Sequence, residues 1–344
     1  MRPKRYIFIL LNISLVFSFF SCNRNKDKDK IHIGFSQAMT NDDWRRSMNN
    51  SMKLQASMNP EIDLQIKDAN YDVLTQIKQI DELIADSVDV LIVSPIQSKP
   101  ITAVVKKAIK AGIPVLVVDR KTEGQQYTAY VGADNIEIGR NAAKEIIASN
   151  YNDSIRIIEI KGLAGSSPAE ERAIGFQQIL DQFKKAQIVA TIEGDWEKES
   201  IQNRLIQLLN DDIIVDYVFA HNDRMAVGAW EVARDLGMEN EISFIGVDGL
   251  AGTNGGIQAV KDGVLKATVL YPTGGDEAIK LALKILSKES IPKNNILSTT
   301  IINELNADIM FNQFEKINEQ QAKMEEQLAA IKKQEELYYS QSNL

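Results

Sequence analysis

Short apolar runs alternate with stretches of helical spacing along most of this chain, and that rhythm leaves few folds open. Ile31 to Ser36 reads as a strand, and Asp42 to Asn59 as a helix with Trp44, Met48, Met52 and Ala56 on one face. Ile62 to Ile66 returns as a strand. Val73 to Ala85 is amphipathic through Leu74, Ile77, Ile80 and Ile84. Val88 to Val93 is a strand ending at Ser94-Pro95. Ile101 to Ala111 is a helix stopped by Gly112, and Pro114 to Val118 is the next strand. The rhythm then repeats, with helices over Ile136 to Ser149, Glu170 to Gln182, Lys198 to Asn210 and Met225 to Leu236. The strands between them run over Ile155 to Ile160, Ile188 to Glu193, Val215 to Ala220 and Ile242 to Val247. Such alternation is the mark of a doubly wound parallel sheet. A chain of 344 residues exceeds one core, and two α/β units of similar size predict two lobes with a cleft between them. Beyond Asp248, a helix (Thr253 to Asp262), a strand (Ala267 to Tyr271), a helix (Gly275 to Ser287) and a strand (Thr299 to Leu305) imply crossings that act as a hinge.

Polar residues recur where these strands end. Asp119-Arg120, His221-Asn222-Asp223 and Asp248-Gly249 each follow an apolar run. Open α/β sheets bind ligands beyond the carboxyl ends of their strands, so three such tips predict one polar pocket. A carboxylate accepts hydroxyl hydrogens and a guanidinium offers a fork of donors. A neutral ligand rich in hydroxyls matches that set. Taken alone, Asp119-Arg120 fits a surface ion pair equally well. Trp44 and Trp196 can lay an apolar face against a sugar ring, although Trp44 also begins a core stripe. His221 either lines the pocket or orients a neighbour.

Other chemistries are poorly served. The net charge is −8 and the only dense basic run is Arg24 to Lys30, against a nucleic-acid surface on the folded part. No G-x-G-x-x-G or G-x-x-x-x-G-K-[ST] occurs; Gly162 to Ser167 lacks the lysine and reads as a loop before a helix capped by Ser166 or Ser167. Two histidines and one cysteine, without H-E-x-x-H, give no zinc site. G-x-S-x-G is absent, and Asp211-Asp212 reads as helix-end turn chemistry. The expectation is a protein without catalytic residues, metal or cofactor.

Met1 to Cys22 reads as a targeting segment: Arg2, Lys4 and Arg5 precede an apolar stretch, Tyr6 to Phe20, too short for a comfortable membrane span. Ser21-Cys22 resembles the end of a bacterial lipobox, with Phe19 where a Leu-like residue is usual. Cys22 is therefore expected to carry lipid, the alternatives being an ordinary signal peptide or an uncleaved anchor. Asn23 to Lys30 is a polar tether. At the other end, Asn306 to Leu344 lacks Gly and Pro. Phe314, Ile317, Gln321, Met324, Leu328, Ile331, Glu335 and Tyr338 fall at spacings of three and four. This is a heptad register, either of a short two-stranded coiled coil or of a helix packed on its own domain.

With these residues in view, a family resemblance emerges. Phe35-Ser36-Gln37 with Trp44-Arg45, Val117-Val118-Asp119-Arg120, Ala133-Asp134-Asn135, and Glu159 to Gly162 with Gly165-Ser166 form the first half of the set. Arg172 before Gly175-Phe176, Ala220 to Asp223, and Gly246-Val247-Asp248-Gly249 complete it. Together, over Ile31 to Leu305, they resemble the type I periplasmic sugar-binding proteins, the ribose- and galactofuranose-binding branch above all. The resemblance implies two Rossmann-like lobes joined by three crossings: 31–132 with 272–290, and 133–271 with 291–305, followed by the helix 306–344. It implies ligand contacts from Ser36, Gln37, Trp44, Arg45, Asp119 and Arg120 on the first lobe. Arg172, Trp196, Asn222, Asp248 and Tyr271 serve from the second lobe and hinge. Ser94 and Tyr271 depart from the family pattern, often Asn and often Gln or Glu. Trp44-Arg45 leans toward a furanose ligand, fructose being one example. The lactose-repressor-type regulators share the fold but carry a helix-turn-helix where an export signal stands here. Two roles follow: a lipid-anchored periplasmic protein delivering a monosaccharide to an ABC permease, or a sensing ectodomain that signals through its C-terminal helix, as a homodimer, to a histidine kinase.

Overall fold

The computed structural model describes residues 30–149, 154–211 and 213–342. The targeting segment, Cys22 and the tether up to residue 29 lie outside the described residues.

The chain order is β1 (Ile31–Gln37), α1 (Asp43–Ser57), β2 (Ile62–Asp68), α2 (Val73–Ala85), β3 (Val90–Val93), α3 (Ser98–Lys110), β4 (Val115–Val118) and β5 (Ala129–Ala133). It continues with α4 (Asn135–Ser149), β6 (Ile155–Lys161), α5 (Ser167–Leu180), β7 (Ala186–Glu193), α6 (Lys198–Asn210), β8 (Tyr217–Ala220), α7 (Asp223–Asp235) and β9 (Ser243–Asp248). The last elements are α8 (Gly256–Lys261), β10 (Ala267–Leu270), α9 (Gly275–Leu286), β11 (Asn294–Leu297), β12 (Ile301–Asn303) and α10 (Ala307–Ser342). Two six-stranded sheets result, β11-β5-β4-β3-β1-β2 and β12-β10-β9-β8-β6-β7. The first is parallel throughout; in the second only β12 runs antiparallel, against β10. The predicted doubly wound, two-lobed α/β architecture is what the chain adopts. Asp42, Asp72 and Asn222 cap α1, α2 and α7 through their side chains. Gly112, at φ 82°, ends α3 in the left-handed conformation where Ala would be strained.

The chain passes between lobes after β5, after β10 and between β11 and β12. The lobe boundaries read from sequence need correcting here. Residues 291–305 do not all belong to the second lobe, because β11 pairs in parallel with β5, Ile296 opposite Gly132 and Leu297 opposite Ala133. The boundary at 132/133 falls inside β5. The strand expected over Thr299 to Leu305 is shorter, only β12, and the helix expected from Thr253 starts at Gly256, because Gly252 at φ 108° precedes it in a turn. The sequence reading had omitted β5 and β11: Ala-Tyr-Val-Gly-Ala and Asn-Asn-Ile-Leu are weak apolar runs that become strands only by pairing with each other and, through β5, with β4.

One apolar cluster runs from α1 and α9 of the first lobe, through Trp44, Tyr271 and Ala133, to Phe176 and Phe219 of the second. Others fill the remaining faces of each sheet. The lobes also meet at the cleft rim. Asn41 Nδ2 donates to Glu197 Oε1 at 3.0 Å, the Tyr71 hydroxyl to the Asp195 carbonyl at 3.0 Å, and Ser98 N to the Gly165 carbonyl at 3.0 Å. Lys121 Nζ reaches Glu171 at 2.8 Å.

Helix α10 is rooted in the second lobe. Ala307 is buried, Met310, Phe311 and Phe314 pack on that lobe's core, and Lys261 pairs with Asp308 at 3.2 Å. Of the two readings of the heptad stripe, its first residues follow the second: Phe314, Ile317 and Gln321 border a cavity of about 620 Å³ shared with α1, the 249–255 loop and the crossing at Pro272 to Gly274. The first turns thus pack on their own domain. Farther on, Met324 and Ile331 are exposed. No helix among the described residues is long and apolar enough to cross a membrane.

The tightest helix contact joins α4 to α5, where Gly139 lies on the Arg172 carbonyl and Gly175 on that of Ile136. A methyl at either glycine would overlap backbone, which cannot give way as a side chain can. Gly175→Ala should therefore lower the unfolding free energy by roughly 1–3 kcal/mol, measured as a fall in the urea midpoint. It should also displace Arg172.

Candidate functional site

Strand tips from both sheets converge on one cavity of about 540 Å³. Asp119 and Arg120 enter it from the end of β4, Asn222 from the end of β8, and Asp248 from the end of β9. Trp44 and Arg45 come from α1, Arg172 from α5, Trp196 from the loop after β7, and Tyr271 from the crossing after β10. Of the residues picked from sequence, Ser36 and Gln37 do not line it. Both are buried one layer down, where Gln37 Oε1 accepts from Arg45 Nη1 at 2.7 Å and from Ala38 N at 3.0 Å. Gln37 therefore fixes Arg45 from beneath. The reason lies in β1, whose last residues are buried on both faces because the strand is flanked by β2 and β3.

Asp119 is the hub of the first lobe. Its Oδ2 accepts from Arg45 Nη2 at 2.6 Å and from Ser94 Oγ at 3.1 Å, and its Oδ1 from the Tyr271 hydroxyl at 2.6 Å. Burial alone would raise its carboxyl, but Arg45 and Arg120 hold it below the ordinary carboxylate range. Burial and the nearby Arg45 lower Arg120 to about 10. Arg120 Nη1 donates to the Ile96 carbonyl at 3.0 Å, and its guanidinium lies 5.6 Å from the Trp196 ring centroid.

Across the cleft, Arg172 donates through Nε to Asn135 Oδ1 at 2.9 Å and through Nη1 to the His221 carbonyl. Its guanidinium sits 5.7 Å from the Trp196 centroid and 4.5 Å from that of Tyr271. Trp44 stacks on the Tyr271 ring itself, centroids 4.9 Å apart and rings 9° from parallel. Trp44 thus serves core and cavity at once. Trp196 is buried against Gly162, whose missing side chain leaves room for the indole. Asn222 spends its amide internally, accepting from Met225 N at 2.9 Å and donating to the Trp196 carbonyl at 2.9 Å. His221 lies below the cavity floor with Nε2 3.1 Å from Glu159, and burial lowers its pKa. It orients its neighbours and does not line the pocket.

Asp248 differs from the other charges: its side chain has no hydrogen bond to a described residue although it borders the cavity. Burial and nearby Asp223 raise its carboxyl well above the usual range. Asp223 lies directly behind, accepting from Gly249 N at 2.8 Å and Thr268 Oγ1 at 2.6 Å, and burial pushes it up to about 7. Buried donors lacking a hydrogen-bond partner among the described residues include Trp196 Nε1 and Arg120 Nε, the latter 3.7 Å from Asp119 Oδ2 as an ion pair only. The sequence reading did not select Asn135 or Asp223. Asn135 follows strand β5, whose apolar signal is weak, and Asp223 stood within the polar tip after β8 without being singled out as a contact. Three non-glycine site residues hold left-handed backbone: Asp119 (φ 65°), Trp196 (φ 79°) and Asp248 (φ 130°). Such conformations cost of order 1–3 kcal/mol each and gather at ligand clamps. Among the described residues no group of His, Cys, Asp and Glu could hold a metal ion.

Comparison with known proteins gives a consistent result. The family described as periplasmic binding protein domain matches residues 33–290. A ribose import binding protein of Bacillus subtilis is 30% identical over 77% of this chain and 87% of its own length. The solved fructose-binding periplasmic domain of a hybrid two-component system is 36% identical, with a TM-score of 0.84 over 87% of this chain and 99% of that one. A Mycobacterium smegmatis protein solved with β-D-fucofuranose is 29% identical, TM-score 0.76, over 86% of this chain and 97% of its own.

The Asp223–Asp248 pair gives the fold a pH dependence of definite sign. Asp223 rises from 3.8 to about 7 on folding, so between these values the native state holds more protons than the unfolded chain. Its stabilisation is complete below about 4 and is lost as pH rises through about 7; Asp248 acts in the same direction, whereas Asp119, lowered, opposes it at acid pH and His221, lowered by burial, opposes it as pH rises towards 6.5. Asp223→Asn should remove the falling contribution, so that the urea midpoint of the variant changes less steeply downward, or more steeply upward, from pH 5 to pH 8 than that of the wild type.

Proposed function

The chain belongs to the periplasmic binding protein family, and on that premise we propose that it closes its two lobes around a neutral monosaccharide, in furanose form, with fructose the first candidate. The observation carrying this reading is the unengaged Asp248 carboxylate facing a cavity bordered by the indoles of Trp44 and Trp196 and by donors without partners. A sugar hydroxyl both gives and accepts a hydrogen and so suits the Asp248 carboxyl in either protonation state, its oxygens suit the donors, and its apolar ring face suits the indoles. Arg120, Arg172 and Asp248 contact it directly. Arg45, Asn222, Gln37 and Ser36 hold the contacting residues in place. The furanose form is supported by the β-D-fucofuranose named for one similar structure, and fructose by the name of the other. The protein is a binder and not an enzyme, it works in the periplasm, and lipid on Cys22 anchors it to a membrane.

Uptake through an ABC permease is one role, as for the ribose import protein. A specific observation favours the other, sensing for a histidine kinase. Helix α10 grows from the second lobe, runs beside α1 of the first, and carries the seam residues Met324, Leu328 and Ile331 beyond both, with Met324 and Ile331 exposed. A helix anchored on one lobe and touching the other registers their relative position, and the outer seam pairs with a second copy.

A thermal-shift screen of neutral sugars tests the common reading. A bound sugar at one hundred times its Kd should add about 2.7 kcal/mol to the unfolding free energy, and Asp248→Ala should abolish the shift while the protein still folds. No shift with any monosaccharide counts against the reading. For the tail, sedimentation should report a dimer that becomes a monomer on Met324→Lys with Ile331→Lys; a monomer from the outset removes the paired helix.

A further inference from the structure

The first-lobe carboxylate that the fold presents to a ligand is already engaged. Asp119 Oδ2 is taken by Arg45 and Ser94, and Oδ1 by the single hydroxyl hydrogen of Tyr271 at 2.6 Å. That hydroxyl is not free to turn away. The Tyr271 ring is stacked on Trp44, its carbonyl accepts from Trp44 Nε1 at 2.8 Å, and the Arg172 guanidinium lies 4.5 Å from its centroid. The residue is held by one group from each lobe and sits on the crossing between them. Burial and the adjacent Asp119 keep the phenol protonated far beyond neutral pH. At this end of the cavity a ligand meets a neutral phenol oxygen where an anionic acceptor would otherwise stand. At the opposite end it meets Asp248, which no described residue engages.

We propose that Tyr271 determines specificity: by occupying Asp119 it makes the site read hydroxyls strongly at Asp248 and weakly at the Asp119 end. The ligand class is a monosaccharide whose recognised hydroxyls lie together at one edge, with the opposite edge free to vary, including deoxy forms. The physics is an asymmetry of hydrogen-bond loss. A polar group that loses its only hydrogen-bond partner in a closed site costs far more than one that keeps an internal partner, and Asp248 has no internal partner among the described residues whereas Asp119 keeps Tyr271. While Tyr271 satisfies Asp119, removing the ligand hydroxyl there strands nothing. Without the phenol hydrogen, Asp119 Oδ1 depends on the ligand for that bond.

This inference rests on the proposed sugar binding, and titration calorimetry on the full chain separates the two. The probes are D-fructose, D-ribose and L-arabinose, then the full set of monodeoxy derivatives of the tightest binder. In the wild-type protein at least one deoxy position should be tolerated within about threefold of the parent sugar, and at least one should lose about tenfold or more, the cost of leaving the Asp248 carboxyl without a partner. In Tyr271→Phe, which keeps the ring stack, the tolerated position should become one that costs about tenfold or more. If every hydroxyl is already indispensable in the wild type, or if Tyr271→Phe lowers affinity for parent and deoxy sugars by the same factor, Tyr271 is a packing residue only and the inference falls. The wild-type arm decides even where the variant folds poorly. Heat from no sugar with either protein overturns the sugar-binding reading itself, and this inference with it.

Discussion

Three arginines and three aspartates meet in the cleft, and the arrangement of the fold around them follows from the need to keep buried charge satisfied. Arg45 and Asp119 are 3% and 2% exposed and 2.6 Å apart. An ion pair of this kind adds little net stability, since desolvation offsets most of the attraction, but removing one partner is severely costly. Its consequence is positional. Arg45 cannot leave Asp119, Gln37 cannot leave Arg45, and Asp119 is fixed further by Tyr130, whose hydroxyl donates to its carbonyl at 2.9 Å. Arg120 and Arg172 use backbone carbonyls, Ile96 and His221, as acceptors. The site is thereby tied to strand ends and not to mobile side chains, which is the condition for a preorganised clamp.

Much of this was legible before any coordinates. Parallel strands buried on both faces read as unbroken apolar runs, so Val90–Val93, Val115–Val118 and Tyr217–Ala220 announced themselves, together with the polar residues at their ends. Asp119, Arg120, Asn222 and Asp248 followed from position alone. What escaped lacks a local signal. Strand β5 carries Ala, Gly and Ala, so Asn135 behind it could not be recognised as the partner of Arg172. Ser36 and Gln37 sit at a strand end too, but β1 is flanked by β3 and β2 and its end is covered by α1, where Gln37 bonds Arg45 and Asn49, a tertiary fact. Asp223 follows Asn222 at the start of α7; only the fold brings Gly246, Gly249 and Gly256 around its carboxylate.

The heptad spacing of α10 shows how one pattern can serve two surfaces. Period alone cannot say what an apolar stripe faces. Phe314 meets the second lobe's core, Ile317 and Gln321 meet the cavity behind the hinge, and only from Met324 onward does the stripe leave the domain. A helix of 36 residues extends about 54 Å at 1.5 Å per residue, so its far half stands clear of the lobes whatever its first turns bury.

Tyr271 joins these threads. It belongs to a crossing, stacks on a residue of the first lobe, lies under a guanidinium of the second, and quenches the hub carboxylate. Pro272 follows it and restricts its backbone to extended conformations, and the next residues, Thr273 and Gly274, border the cavity against which α10 rests. Any rotation of one lobe against the other must shear the Trp44–Tyr271–Arg172 stack, because its members are divided between them. Ligand preference and lobe geometry are therefore set at the same side chain. A substitution there that removed the ring would release the lobes from each other at this point, and with them the footing of the long helix, whereas one that removed only the hydroxyl would leave the stack in place.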